Sequence, residues 1–138
     1  MNRWAINVIL SICLTLGGGA QVLAGTATEK EKAFTEKAAQ DYLKSGLILA
    51  GEGRDAEAVK SFRQAVATKP GWAEAHSLLG SALARDGKYA EAEAELRKAV
   101  QLKPDYAEGW YYLGQFYQDR AKEKEAQEAF RKAQQLAR

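Results

Sequence analysis

The sequence predicts an all-α solenoid of three stacked helix–turn–helix repeats. Three observations carry that prediction. The string KPGWAEAHSLLG at residues 69–80 returns as KPDYAEGWYYLG at residues 103–114, a shift of 34 residues. After residue 28 the chain is dominated by Ala, Glu, Lys, Leu, Gln and Arg, which favour helix. The two prolines, Pro70 and Pro104, fall at the same 34-residue period, where each forbids continuation of a helix.

The first element differs in kind from the rest. Residues 1–24 carry one basic residue, Arg3, and no acid. An apolar run from Trp4 to Leu16 is broken by Gly17, Gly18 and Gly19, and Val22, Leu23 and Ala24 follow. A short basic start, an apolar middle and a small-residue exit make a secretory signal peptide, with cleavage expected after Ala24 and Ala20 or Ala27 as alternatives. The alternative is an uncleaved membrane anchor, since Trp4 to Ala24 is long enough to cross a bilayer. Cys13 is the only cysteine, so cleavage leaves a chain that no disulfide can hold. The expectation is an exported, periplasmic or secreted bacterial protein, with no membrane contact after cleavage.

Residues 25–38 are expected to form a tail and a helix extension. Thr28 and Glu31 have the spacing of a capping box, which predicts a helix start near Glu29. Phe34 is expected to pack back onto the repeats.

Residues 39–138 divide into three blocks, 39–72, 73–106 and 107–138. Position four of the blocks holds Tyr42, His76 and Trp110, and position seven holds Ser45, Leu79 and Leu113. Position eight is Gly46, Gly80 and Gly114; position twenty is Ala58, Ala92 and Ala126. Positions four, seven, eight and eleven share one helical face, and twenty, twenty-four and twenty-seven share another. The glycines and alanines let two backbones approach while the larger residues fill the space between them. Gly53 and Gly87 end the first helices with a left-handed cap. Ala121 stands at that place in block three, so its turn is expected to be less regular. One hairpin cannot bury its apolar face, but three stacked hairpins can. Position 28 changes from Val66 and Val100 to Gln134, which predicts that the stack ends with the last helix.

These residues resemble the tetratricopeptide repeat. Block three carries the whole pattern, with Trp110, Leu113, Gly114, Tyr117, Ala126 and Phe130. Block two departs from it at His76, and block one at Ser45. The resemblance covers residues 39–138 and implies a right-handed solenoid that binds other proteins in its concave groove. It also implies that positions 2, 5, 9, 12 and 13 of each first helix line that groove.

On those positions and their neighbours, the candidate partner-binding residues are Leu43, Leu47, Ser77, Ser81, Arg85, Glu108, Tyr111, Tyr112 and Gln115. They make an apolar entrance, small walls and an aromatic shelf. Tyrosine suits an anchor because it offers large contact area at low entropic cost. The carboxylate clamp of such grooves does not carry over. Its positions hold Leu43, Leu47, Leu78, Glu108 and Tyr112 here, with no cation among them.

Catalysis is not expected. His76, the only histidine, occupies a packing position, and a lone histidine without clustered acids or cysteines is a poor metal ligand. The Ser, Cys and Gly residues form no nucleophile or phosphate-loop motif. Glu91, Glu93 and Glu95 diverge around a helix and are expected to form a solvated face, with Glu93 paired to Arg97. No cofactor or metal is expected. Lys and Arg total 20 against 18 acids, too even a balance for a nucleic-acid surface. The expected partner is a peptide or helix of another protein, with self-association through the end helices as the alternative.

Overall fold

The computed structural model describes residues 28–138. The signal-peptide expectation and the cleavage site lie outside the described residues, as does the loose tail expected at 25–28 apart from Thr28, which is helical. The chain divides into two units, residues 1–35 and 36–138. In the first unit the described residues 28–35 are helical, with the Thr35 hydroxyl donating to the Glu31 carbonyl at 2.8 Å. Thr28, the first described residue, is helical, one residue before the start expected near Glu29. Phe34, expected to pack, is 76% exposed.

Six helices are described. Residues 28–51 form α1, followed by α2 (Asp55–Thr68), α3 (Ala73–Arg85), α4 (Tyr89–Leu102), α5 (Ala107–Asp119) and α6 (Glu123–Leu136). No strand occurs among the described residues. Each of α2, α4 and α6 places acids in its first turn, where the helix dipole favours negative charge. None of α2–α6 has a side-chain cap at its N-terminus. The helices after the first are only 13 or 14 residues long, so packing rather than intrinsic propensity must hold them.

That packing follows the 34-residue period. α3 pairs with α4 and α5 with α6, while α2 against α3, α4 against α5 and α3 against α5 form the joints between repeats. A β-carbon on Gly46 would lie 2.5 Å from the Phe62 ring, one on Gly80 2.6 Å from Leu96 Cγ, and one on Gly114 2.7 Å from the Phe130 ring. The position-eight glycine is therefore a contact surface for the position-24 side chain in all three repeats. Ala58, Ala92 and Ala126 are buried beside it, and Phe62, Leu79, Leu83 and Leu96 are almost wholly enclosed.

The turn inside each hairpin is closed in one way throughout. Gly53 and Gly87 take φ of +75° and +80°. Arg54 N–H donates to the Leu49 carbonyl and Lys88 N–H to that of Leu83. The third turn is not the irregular one expected from sequence. Ala121 takes φ of +56° and Lys122 N–H reaches the Tyr117 carbonyl at 2.9 Å, as its counterparts do. The bonds of the turn impose the left-handed conformation on a residue that disfavours it by about 1–2 kcal/mol. Ala121→Gly should relieve that strain, less ~0.5–1 kcal/mol for the freer unfolded chain. We expect a net gain of about 0.5–1 kcal/mol, read as a higher urea midpoint at unchanged slope.

Candidate functional site

The joints show how this sequence holds neighbouring repeats at fixed spacing. His76 lies at position four of α3 and is buried. Its Nε2 lies 2.8 Å from the Pro70 carbonyl oxygen and its Nδ1 2.6 Å from Glu95 Oε2. A carbonyl and a carboxylate both accept, so both ring nitrogens donate and the imidazolium form is favoured. The Glu95 bond pushes the His76 pKa up, against burial, with help from the Pro70 carbonyl. Trp110 does the same mechanical work one repeat later without a charge. Its indole N–H donates to the Pro104 carbonyl at 2.9 Å, and Lys132 lies over its ring at 4.2 Å.

The acids of α4 are connectors, not the solvated face expected from sequence. Glu91 is paired with Arg63 of α2, and Glu95 with His76. Glu93 accepts from the Tyr117 hydroxyl at 3.1 Å and from Lys122 Nζ at 3.1 Å, and the expected pair with Arg97 forms as well, at 3.9 Å. Burial pushes the Glu93 carboxyl up, but the bonds from Lys122 and Tyr117 outweigh it and hold the group below its ordinary range. Side chains two apart on a helix point to different neighbours, so three acids in a row tie three elements together. No group of three or more His, Cys, Asp or Glu residues is gathered as a metal site among the described residues.

The candidate partner-binding residues separate into three sets. Ser81, Arg85, Tyr112 and Gln115 line one cavity of about 430 Å³ between α3 and α5, with Ala84, Tyr89, Phe116, Gln118, Asp119 and Arg120. Arg85 is held to Asp55 at 2.6 Å, and the Arg120 guanidinium lies over the Tyr89 ring at 4.0 Å. Glu108, Tyr111 and Tyr112 line a second cavity, of about 770 Å³, at the free face of α5 and α6 with Phe130 and Ala133. Tyr111 and Phe130 stand with ring centroids 5.6 Å apart, and Gln115 donates to the Tyr111 hydroxyl at 3.2 Å. Tyr112 borders both cavities.

The remaining three do not join them. Leu43 is not an open entrance: it is 8% exposed and belongs to the core with Val59 and Phe62. Ser77 is not a groove wall either. It is fully buried, donates to the Glu74 carbonyl at 2.8 Å and lies 3.5 Å from the Tyr106 hydroxyl. The next repeat covers position five wherever there is a next repeat. Leu47 is exposed on α1 and lines neither cavity.

Sequence reasoning missed Arg120 and Tyr89, whose stacking shapes the α3–α5 cavity from two turns outside the groove positions. A signal was present, since a cation one residue before the left-handed cap stands near the start of the preceding second helix. Among the described residues no helix is long and apolar enough to cross a membrane.

Comparison with known proteins agrees with this geometry. The chain resembles the second TPR of Spaghetti (RPAP3), a structure bound to HSP90 peptide SRMEEVD, with TM-score 0.69 and 22% identity over 77% of this chain and 98% of that one. It resembles the Sgt2 TPR domain from Aspergillus fumigatus, with TM-score 0.69 and 22% identity over 72% of this chain and 66% of that one. It resembles MamA, with TM-score 0.65 and 22% identity over 72% of this chain, which spans only 58% of the MamA chain. At these identities the likeness is one of fold. No curated protein matches the chain in sequence. The family profile described as Tetratricopeptide repeat matches residues 43–107 and 78–138, well over half of the sequence. The close-packed glycine at position eight, the left-handed turn cap and the prolyl carbonyl anchored from position four are thus the working parts of one repeated unit, and the chain belongs to the tetratricopeptide repeat family.

Proposed function

We propose that this protein is a non-catalytic scaffold of the bacterial cell envelope that holds a peptide or helix of another protein between α3 and α5. The family's repeats serve protein–protein interaction, and one structurally similar repeat domain is bound to a peptide. The observation that carries the proposal is the cavity of about 430 Å³ lined by Ser81, Arg85, Tyr112 and Gln115. Its aromatic wall and amide side chains offer apolar contact beside unsatisfied hydrogen-bonding capacity, the usual make-up of a recognition surface. Its two arginines are already engaged, with Asp55 and with the Tyr89 ring, so charge is not the main attraction. The envelope location rests on the signal-like residues 1–24.

A photo-crosslinker at position 115 in living cells should give a discrete adduct, and one at the exposed Lys60 of α2 should not. Tyr112→Ala should weaken binding of the captured partner about five- to thirtyfold, as loss of ~1–2 kcal/mol from an anchor does. The same preparation reads the N-terminus, which should be Gly25. Equal adducts from both crosslinker positions would reject the groove, and a membrane-fixed Met1 would reject export by cleavage.

A further inference from the structure

We propose that the chain binds a second copy of itself head to tail, with the α5–α6 face of one copy receiving the α1–α2 face of the next. This does not rest on the α3–α5 groove. It rests on the period, which makes the free face of the third repeat the continuation of two joints already in the molecule. Shifted back by 34 residues, Tyr111, Phe130 and Ala133 fall on Ser77, Leu96 and Ala99, all three buried. The covering element in those joints is the next first helix. At its position ten stand Ala82 in α3 and Phe116 in α5, both buried, and Phe116 shares its cavity with Leu96. The same position in α1 is Ile48, which is 55% exposed. Extending the register sets Ile48 of one copy against Phe130 of the other.

The charges agree with that register. Position 25 is Arg63, Arg97 and Arg131, and position 19 is Glu57, Glu91 and Glu125. The first joint closes the pair Arg63–Glu91, and Arg97 and Glu125 line one cavity at the second joint. This leaves Arg131 at one end, without an ion pair among the described residues, and Glu57 at the other, turned onto Arg54. An Arg131–Glu57 pair between copies is the next rung. Because the two faces differ, the joint does not close on itself, and each added copy leaves one of each face open.

The test is sedimentation equilibrium over a wide concentration range, on the chain as its host produces it. The weight-average mass should rise with concentration and pass that of a dimer. Ile48→Asp should abolish the rise. Arg131→Glu and Glu57→Arg should each weaken association several-fold, and the two together in one chain should restore it, since opposite charges then meet again. Helix content by circular dichroism confirms that each variant is folded. A mass that stays monomeric at all concentrations overturns the proposal, whether residues 1–27 or another protein occupies the α5–α6 face. Two weakened single variants whose combination gives no recovery overturn it as well.

Discussion

Gly80→Leu is expected to unfold the repeat domain cooperatively or to lower its midpoint severely. A β-carbon at Gly80 would lie 2.6 Å from Leu96 Cγ and 3.0 Å from the Ala92 carbonyl oxygen. The first neighbour is enclosed and the second is backbone, so neither has room to move. Overpacking commonly costs ~1–3 kcal/mol, and more where the obstacle is main chain. Native domains hold a margin of only about 5–15 kcal/mol. The middle repeat touches both others, so its loss removes two joints at once. Gly51→Leu is the control, because nothing lies within 4 Å of a β-carbon there. Thermal melting of both variants checks the prediction, and an unchanged midpoint for Gly80→Leu would refute the tight approach.

The second large effect is a dependence of stability on alkaline pH. His76 donates from both nitrogens and its pKa is raised by Glu95. A raised folded pKa means that the stabilisation is complete below the unfolded value of ~6.5 and is lost as pH rises through the folded value. The melting temperature should therefore fall on going from pH 6 towards pH 9. A hydrogen bond to a charged group contributes ~1.5–3 kcal/mol, which sets the scale of the fall at several degrees or more. The third repeat supplies the comparison. There Trp110, Ala129 and Lys132 occupy the places of His76, Glu95 and Lys98. The double variant His76→Trp, Glu95→Ala should keep the bond to the Pro70 carbonyl and remove this pH dependence. An equal fall in the double variant would assign it to other groups.

Architecture was legible because it is written three times. Gly46, Gly80 and Gly114 identify a close contact that the structure places against Phe62, Leu96 and Phe130. The groove was legible only in part. Position five is exposed in Tyr111 and buried in Ser77, because a following repeat covers the second and not the first. A period cannot show that difference; the end of the stack does. Leu43 was misplaced for the same reason: it stands at position five of a repeat that another follows, and it is buried in the core. Ala121 shows the opposite case, in which a departure from the pattern changes the strain and leaves the geometry alone.

The ring at position four has a consequence for recognition kinetics. In two consecutive repeats it grips the carbonyl of the proline that lies just before its own block, at 2.8 and 2.9 Å. Proline also fixes its own φ, so the link between hairpins has lost its softest torsion and gained a clamp. The aperture between α3 and α5 is therefore set before anything enters it. A segment entering the proposed groove would then have no hinge to order, and encounter would not wait for an opening step. Selection by that groove would fall on how well a sequence fits a gap of fixed width, and differences among ligands would show in how long each one stays.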